Sequence, residues 1–503
     1  MKTNKQTAHG PFRPINQEVI ENQLNQSLSV DNDTYLKGFM DHYCQKNKKS
    51  KEHTIQYRPV YADQRAVSFF HLKIKELCFP IVYQEGKGAY VWDIDGNKYI
   101  DIAMDFGANL FGHQAPFLRD ALIEQANKGW GIGMRPEKSA EAATMLCQLT
   151  GHDRAVFAQS GSEAVMTAVR LARQVSGKAK VVIFNHSYHG HSDVVLGASV
   201  VEDDKNVTHP ITQGTTEGAV EDLIILPYCE ELSLEIIRQH IGELAAVLVE
   251  PVQSRGLKLN PAPFLKQLRK ITEDAGVALI FDEMVTGFRT AQGGVQELFG
   301  IRADITTYGK VLGGGIGIGA IAGRKKYLDA IDGGEWNYND KSYPQTERTF
   351  FAGTHSQNTV AVAVIHAVLT HLIKTKGEIQ KKVTETCSYM AQQINSFFDS
   401  EDIQISVNFF GSLFRFEPKI ARNAIEFHLF LYHLRDNGIM VSEIGNNFLS
   451  SEHGSEEIEK IIDAVKQSVA TMRTGGYFKK NEKPKVTAPV NASILEDILI
   501  ELD

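Results

Sequence analysis

The chain has 503 residues, which is enough for two or three domains with a large core. A net charge of −8 excludes the global basic field that recruits nucleic acid, and no apolar run approaches the ~20 residues that cross a membrane. Residues 1–12 lack the apolar core of a secretory signal. The five cysteines are scattered and form no CxxC pair, so we expect reduced, mostly buried thiols in a cytoplasmic protein.

The first hundred residues predict a helix, a linker and a hairpin. Apolar residues recur at helical spacing from Ile15 to Val30 in a polar background. The lysine-rich run 46–51 is interpreted as a solvated linker, with a patch for an anionic partner as the alternative. Residues 90–103 predict a β-hairpin that turns at Asp95-Gly96.

Further elements follow from hydrophobic periodicity. Helical spacing predicts helices at 115–128, 139–149, 163–175 and 456–473, and a long helical stretch over 360–398 with a possible break at Gly377. Short apolar runs predict strands at 155–158, 181–184, 247–249, 277–281 and 409–416. The run 277–281 suits a buried strand of a parallel sheet by its length and composition.

An acid pair and a distant lysine indicate cofactor chemistry. Asp282 and Glu283 follow the strand 277–281, at the edge where open α/β sheets place their chemistry. Lys310 comes later, in a turn rich in small residues, where an amine can lose its hydration and form a Schiff base. An acid for a pyridinium nitrogen and a lysine for an aldehyde are the two groups that pyridoxal phosphate requires.

Three other motifs leave alternatives open. Ser160-Gly161-Ser162 precedes a helix and offers backbone N–H groups to a phosphate, although Ser162 as a plain N-cap explains the same residues. The spacing H-x-x-H-x-H in 186–191 occurs at zinc sites but here follows a strand, and we expect no metal. The glycines of 313–319 lack the βαβ context of a dinucleotide site.

A family resemblance favours the cofactor interpretation, although His189 as an ordinary loop histidine stays an alternative. FDEMVTGFR, GGVQELFG and TTYGKVLGGGIGIGAIAGR resemble the class III, fold-type I aminotransferases, and specifically their glutamate-1-semialdehyde aminomutase-like branch. SGSEAVMTAVRLAR, SYHGHSD, AAVLVEPVQ and FFAGTHSQN continue the match, in family order, within residues 55–473. The resemblance implies an α/β fold-type I PLP-dependent transferase, with a large domain around a mostly parallel seven-stranded sheet and a small α+β domain. The implied cofactor is pyridoxal 5′-phosphate.

The resemblance also implies roles for individual residues. Lys310 would bind the cofactor covalently and then carry a proton, and Asp282 would keep the pyridine nitrogen protonated. The other implied cofactor-binding residues are Gly161 and Ser162 at the phosphate, Tyr188 and Met284 on the two ring faces, His189 as an orienting residue, and Thr354 reaching the neighbouring active site of a homodimer.

Some positions depart from the family pattern. Some members carry a second acid where this chain has Ser254 and Arg255, and the ω-aminotransferases carry Gln where Val285 stands. Both departures predict a substrate pocket unlike that of the ornithine-type enzymes. Glu250, at the end of its strand, is expected to have a structural role.

We expect five segments along the chain. They are an N-terminal helix and linker (1–54), the first part of the small domain (55–115), the large cofactor-binding domain (116–350), the second part of the small domain (351–474), and a linker with an acidic tail helix (475–503). The tail helix is indicated by apolar residues within 494–502 and a capping box at Ser493.

The N-terminal segment and the insertion 336–345 are similar to aminotransferase domains of hybrid polyketide–nonribosomal peptide synthases. This similarity implies transfer of an amino group from an amino acid such as glutamate to a ketone or aldehyde, for example a carrier-bound β-ketoacyl chain. An acyl carrier protein or synthase module would then be a partner. The alternatives are a 1,2-aminomutase and a non-catalytic partner subunit that retains the fold.

Overall fold

The computed structural model describes residues 30–133, 135–202, 205–419, 425–442 and 445–479. Contacts divide the chain into two units. The first contains Gly107–Leu110 and Ala115–Thr384, and the second contains Phe111–Gln114 with the described residues before Gly107 and after Thr384. The first unit thus continues beyond residue 350, where we placed the end of the large domain.

The described residues contain sixteen strands, numbered in chain order. They are β1 Tyr83–Lys87, β2 Tyr90–Asp93, β3 Lys98–Asp101, β4 Arg154–Ala158, β5 Lys180–Phe184, β6 Gly197–Glu202, β7 Lys205–Pro210, β8 Leu223–Leu226, β9 Leu244–Val249, β10 Ala278–Asp282, β11 Ile305–Tyr308, β12 Gly319–Gly323, β13 Ile405–Phe410, β14 Leu413–Pro418, β15 Ile439–Met440 and β16 Asn446–Phe448.

Helices connect and cover these strands. The α-helices are Val30–Lys46, Lys48–Tyr57, Met104–Gly107, Pro116–Lys128, Lys138–Thr150, Gly161–Ser176, Glu217–Val220, Glu231–His240, Ala262–Asp274, Val295–Phe299, Lys325–Asp332, Thr359–Thr375, Glu378–Ser400, Ile425–Asp436 and Ser455–Thr474. Short 3₁₀ turns lie at Gln64–Val67, Leu72–Leu77, Asp193–Val195 and Lys310–Gly313.

A seven-stranded sheet organises the first unit, in the order β4-β12-β11-β10-β9-β5-β8. All of its strands are parallel except β12, which runs antiparallel to β4 and β11. The prediction of a mostly parallel seven-stranded sheet is therefore confirmed. Because the carboxyl ends of the six parallel strands meet at one edge, the loops that follow them gather there.

The middle of this sheet is buried on both faces. Every residue of β9 and β10 is buried, which explains their continuous apolar sequences. Ala278 and Ile280 belong to the apolar cluster that contains helix Gly161–Ser176, whereas Leu279 and Phe281 belong to the cluster of helix Ala262–Asp274. Alternate side chains of β10 thus pack on opposite helical layers, and the strand end that carries Asp282 is rigidly placed.

The second unit is α+β, with sheets in the orders β1-β2-β3-β15 and β13-β14-β16. The predicted hairpin is confirmed as β2 and β3, with Gly96 at φ 90° in its turn. The predicted linker at 46–51 is wrong, because Lys48–Tyr57 is a helix whose Lys49 and Ser50 amides donate to the Asp95 carboxylate. The burial of Ser50 and the hydrogen bonds to Asp95 stabilise this helix despite the positive charge of the lysine run.

Predictions for the C-terminal part are mostly confirmed. Gly377, at φ 85°, separates helices Thr359–Thr375 and Glu378–Ser400, and the closing helix is Ser455–Thr474. The single strand expected at 409–416 is wrong. The chain reverses at Gly411-Ser412 and forms the antiparallel pair β13 and β14. The amphipathic segments at 15–29 and 494–502 lie outside the described residues.

No single helix among the described residues is long and apolar enough to cross a membrane, and only the pair Thr359–Thr375 and Glu378–Ser400, bent by 80°, meets that test jointly. All five cysteines are free thiols, as expected. Only Cys78 and Cys387 are buried, while the other three are partly exposed.

Candidate active site

The carboxyl edge of the seven-stranded sheet collects the predicted site residues. The Gly161 turn follows β4, the Tyr188-His189 loop follows β5, and Asp282 ends β10. Asp282 lies beside Thr307 in the parallel register of β10 and β11, and Lys310 comes three residues after Thr307. The topology therefore places the predicted acid and the predicted lysine on neighbouring strand ends.

Asp282 is the polar centre of this edge, and its side chain is only 2% exposed. Its Oδ1 accepts hydrogen bonds from the Thr307 hydroxyl at 3.0 Å and the Met284 amide at 3.1 Å. Its Oδ2 lies 2.8 Å from Nδ1 of His189. Because a carboxylate only accepts, Nδ1 of His189 is the donor in this pair.

His189 is buried, and only one of its two ring nitrogens makes a hydrogen bond among the described residues. Its Nδ1 is used by Asp282, whereas its Nε2 has no hydrogen-bond partner among the described residues. A buried polar atom without a partner is costly and rare in folded proteins. Such an atom at a strand-end loop indicates a position for a ligand.

Lys310 stands at the start of a short 3₁₀ turn, Lys310–Gly313, directly after β11. Its φ of 38° is in the left-handed region, which non-glycine residues seldom adopt and which clusters at functional sites. Its side chain is half-buried. The backbone thus holds the lysine in an unusual conformation at the same edge as Asp282.

The turn before helix Gly161–Ser176 has a different cap from the one that the sequence suggested. Ser160, not Ser162, is the N-cap, and its Oγ accepts from the Glu163 amide at 3.3 Å. The Ser162 hydroxyl accepts from the His191 amide at 3.2 Å. The plain N-cap interpretation of Ser162 is therefore wrong, and Ser162 joins the helix start to the Tyr188-His189 loop.

Close packing fixes these loops to one another. Gly190 has φ 85°, and a Cβ there would lie 2.4 Å from the Ser162 Oγ, so only glycine fits. A Cβ on Gly161 or Gly309 would lie 2.8 Å or 2.6 Å from the Met284 sulfur. Met284 therefore fills the space between the turns that follow β4 and β11.

Two further buried carboxylates have structural contacts. Glu283 accepts from the Val295 amide at 2.7 Å, the Thr286 hydroxyl at 3.0 Å and the Gln296 amide at 3.1 Å. Burial raises the pKa of Glu283 to about 7, although these donors lower it.

Glu250 accepts from the Ser254 amide at 2.9 Å and the Tyr188 amide at 3.4 Å. Burial also raises its pKa. Glu250 thus joins the loops after β9 and β5, as its expected structural role requires.

The remaining predicted residues lie on the surface. Tyr188 is 47% exposed as a whole residue, and the Arg255 guanidinium carbon lies 5.7 Å from the centroid of its ring. Thr354 is exposed in the turn that precedes helix Thr359–Thr375. In the described part of the chain no hydrogen bond or ring contact joins Thr354 to the other predicted site residues. Within the described residues, hydrogen bonds and close packing link the other predicted residues around Asp282, and the register of β10 and β11 brings Lys310 to the same sheet edge.

Sequence reasoning missed two residues that shape the site. Thr307 was noted only as a small neighbour of Lys310, yet its hydroxyl donates to Asp282. Gln253, 3% exposed, donates from Nε2 to the Asn185 carbonyl at 2.7 Å and so ties the loops after β9 and β5. The available signal for Gln253 was its place shortly after the predicted strand 247–249, whereas no strand was predicted at Thr307. The contacts of both residues depend on which strands become neighbours.

Comparison with known proteins gives consistent matches over most of the chain. The family model Aminotransferase class-III matches residues 73–467. The chain is 31% identical over 408 residues to the glutamate-1-semialdehyde 2,1-aminomutase of Fusobacterium nucleatum subsp. nucleatum, covering 77% of this chain and 90% of the relative.

Two solved structures extend the likeness. One is a transaminase with PLP bound (27% identity, TM-score 0.76, 86% of this chain and 99% of that chain). The other is a β-phenylalanine aminotransferase from Variovorax paradoxus (27% identity, TM-score 0.72, 87% of this chain and 97% of that chain).

Proposed function

Because the chain belongs to the class-III aminotransferases, which are fold-type I enzymes that use pyridoxal 5′-phosphate, we propose that it moves an amino group from an amino-acid donor to a ketone or aldehyde. The observation that carries this proposal is the pairing of buried Asp282 with His189, on a strand end next to the one that leads to Lys310. The family membership favours an enzyme over a non-catalytic partner subunit.

The residues at the sheet edge fit this cofactor. The first N–H groups of helix Gly161–Ser176 have no acceptor inside the helix and suit a phosphate. Nε2 of His189 is a buried atom that lacks a partner among the described residues. Asp282 is a buried carboxylate, which suits a protonated pyridine nitrogen. Tyr188 and Met284 supply an aromatic ring and an apolar side chain for the two ring faces.

Each residue then has a defined task. Pyridoxal phosphate, when bound, supplies an electron sink for negative charge at the substrate Cα. Lys310 would hold the cofactor aldehyde through its amine and, once released by a donor, move a proton at the substrate Cα. Asp282 would hold the proton on the pyridine nitrogen. His189 and Thr307 would orient the Asp282 carboxylate through their hydrogen bonds.

For the acceptor, we propose a β-ketoacyl chain or a related carbonyl compound, either free or bound to a carrier protein. Two likenesses support this choice. The segment 336–345 resembles synthase-embedded aminotransferases, and the structural likeness includes a β-phenylalanine aminotransferase. Transamination of a β-ketoacyl chain would yield a β-amino product. An acyl carrier protein or synthase module would then be a partner.

A second candidate is a 1,2-aminomutase, favoured by the 31% identity to the Fusobacterium nucleatum aminomutase. The two functions differ in their need for a separate donor. An aminomutase rearranges one substrate, whereas a transaminase needs an amino donor and a carbonyl acceptor. Turnover of glutamate-1-semialdehyde without added donor would establish the aminomutase and contradict the transaminase proposal.

We also propose a homodimer in which Thr354 contacts the phosphate bound by the neighbouring subunit. Its exposure in the single chain supports a role in an interface. A heterodimer made from one Lys310→Ala subunit and one Thr354→Ala subunit would contain one doubly altered site and one unaltered site. It should retain about half of the wild-type activity. A fully active monomer in dilute sedimentation would contradict shared sites.

The decisive experiment for the function is a substrate panel. The purified protein is incubated with pyridoxal phosphate, glutamate and β-ketoacyl chains, either on a carrier protein or as small thioesters, and products are detected by mass. The proposal predicts a gain of one amino group that depends on glutamate. Product from the carrier-bound chain alone would identify a carrier partner, and no amination of any carbonyl compound would refute the proposal.

A further inference from the structure

Arg255 lies beside the proposed cofactor site without being part of the cofactor set. It occupies the turn after β9, where the Gly256 amide donates to the Gln253 carbonyl at 3.0 Å. Its guanidinium carbon lies 5.7 Å from the centre of the Tyr188 ring. Tyr188 immediately precedes His189, whose Nδ1 contacts Asp282. The arginine thus places a positive charge against the aromatic wall of the site.

Buried contacts hold the two loops in this arrangement. Glu250 accepts from the amides of both Tyr188 and Ser254, the neighbour of Arg255. Gln253 adds the hydrogen bond to the Asn185 carbonyl. Glu250, Gln253 and Ser254 are each no more than 4% exposed. The position of the Arg255 backbone relative to Tyr188 is therefore fixed by the core rather than by solvent-exposed contacts.

The charges of Arg255 and Asp282 both influence the Tyr188 hydroxyl. Burial raises the pKa of the Tyr188 hydroxyl, the positive charge of Arg255 opposes this effect, and the negative charge of Asp282 adds to it. Both charges therefore act on the same ring. An arginine beside an aromatic ring supplies a positive charge and a planar fork of N–H donors, which is the chemistry that recognises a carboxylate.

We propose that Arg255 binds a carboxylate of the amino donor and so makes the enzyme select amino acids over simple amines. This inference rests on the proposed transamination and names the donor class for the same site. The carboxylate is either the α-carboxylate, present in every amino acid, or the side-chain carboxylate of a donor such as glutamate. Charge-assisted bonds to arginine supply selectivity of this kind.

The test compares Arg255→Gln with wild type in the donor half-reaction, followed by the absorbance change of the bound cofactor. The donors are glutamate, alanine and 1-phenylethylamine, which has no carboxylate. We expect kcat/KM for glutamate to fall roughly 10- to 100-fold, and the rate with 1-phenylethylamine to stay within about twofold. Arg255→Lys should lie between wild type and Arg255→Gln, because it keeps the charge but loses the planar fork.

The donor series also distinguishes the two carboxylates. Equal losses of kcat/KM for glutamate and alanine would show that Arg255 binds the α-carboxylate. A loss of kcat/KM for glutamate alone would show that it binds the side-chain carboxylate. Arg238→Gln, an exposed arginine of helix Glu231–His240, is the matched control and should change neither rate. Equal losses for glutamate and 1-phenylethylamine in Arg255→Gln would overturn the proposal, as would an unchanged rate with glutamate.

A binding measurement separates this inference from the proposed function. The Kd of the holoenzyme for succinate, an unreactive dicarboxylate, is measured by calorimetry. Arg255→Gln should raise this Kd roughly 10-fold or more relative to wild type and to Arg238→Gln. If wild type aminates no acceptor but binds succinate more tightly than Arg255→Gln does, the proposed function is wrong and the carboxylate site is still supported. Succinate binding that is equal in wild type and Arg255→Gln overturns the site itself.

Discussion

Two buried polar clusters, one in each unit, differ in how fully their atoms are used. In the second unit, Asp93 accepts from the Asp95 and Asn97 amides with Oδ1, and from the Asn97 amide group and the Tyr99 hydroxyl with Oδ2. At the sheet edge of the first unit, Asp282 has its own donors, but His189 beside it keeps an unpartnered Nε2 within the described structure.

The difference follows from what each cluster does. Four donors saturate the Asp93 carboxylate, and the Tyr99 hydroxyl oxygen also lies 2.9 Å from Oδ1 of Asn47. Such a cluster joins the hairpin to the helical segment and has nothing left for a ligand. The Asp282 cluster leaves a buried donor or acceptor unused, which is tolerated where a ligand completes it. Other buried atoms also lack a partner among the described residues, for example His152 Nδ1 and His453 Nε2, so the unused His189 atom supports a ligand only together with its place beside Asp282.

The largest effect should come from Lys310→Ala. Loss of the amine that holds the cofactor and moves the proton should lower transamination by at least about 1,000-fold. The free energy of unfolding of the apoprotein should change by less than about 1 kcal/mol, because the side chain is only half-buried. Both quantities are measured beside Lys325→Ala, an exposed lysine of the same unit that should retain full activity. Substantial turnover by Lys310→Ala would remove this lysine from the mechanism.

Glu283 follows Asp282 in the chain and is a buried carboxyl group with three hydrogen-bond donors of its own. Its folded-state pKa of about 7 lies above the unfolded value of 4.5, so the unfolded chain loses this proton first as the pH rises. The stability of wild type relative to Glu283→Gln should therefore fall by about 2 kcal/mol between pH 5 and pH 7. Chemical denaturation at several pH values measures this difference. If this stability difference does not change between pH 5 and pH 7, Glu283 is ionised in the folded protein over the whole range.

The smallest effect is expected at Asp95, in the turn next to the saturated Asp93 cluster. Its carboxylate accepts from the Lys49 amide at 2.6 Å and the Ser50 amide at 3.0 Å, and so caps helix Lys48–Tyr57 from outside the helix. Asp95→Ala should cost about 1 kcal/mol of stability and leave activity unchanged. The exposed Asp120→Ala is the control. Equal stabilities of the two variants would show that the cap contributes nothing.

Sequence patterns predicted the elements around the candidate site better than the contacts within it. The strand before Asp282 and the turn around Lys310 are local features, so hydrophobic runs and glycines reveal them. The Thr307 to Asp282 bond depends on β10 and β11 becoming neighbours, and no local pattern encodes that pairing. The cap at Ser160 was missed because two serines flank Gly161 and only the backbone geometry distinguishes them.

The errors elsewhere have the same origin. The lysine run at 46–51 looked solvated by charge alone, but Asp95 lies far along the chain and supplies its helix cap. The strand expected at 409–416 divided because Gly411, at φ 60°, permits a tight reversal. In both cases a contact or a single backbone angle decided between structures that composition allows equally.

The central claim is tested most directly by measuring Asp282→Asn and Asp93→Asn side by side, for donor half-reaction rate and for free energy of unfolding. Asn at 282 cannot hold the pyridinium proton, so the rate should fall at least about 100-fold. Its stability should change by less than about 1 kcal/mol, because His189 can switch tautomer and keep the hydrogen bond. In Asp93→Asn, the new side-chain NH2 group would face the NH2 group of Asn97, which donates to the Asp93 carboxylate in wild type. The free energy of unfolding should therefore fall by about 2 kcal/mol, while the folded enzyme keeps its rate. A near-normal rate in Asp282→Asn, or a loss of rate in folded Asp93→Asn equal to that in Asp282→Asn, would contradict the account.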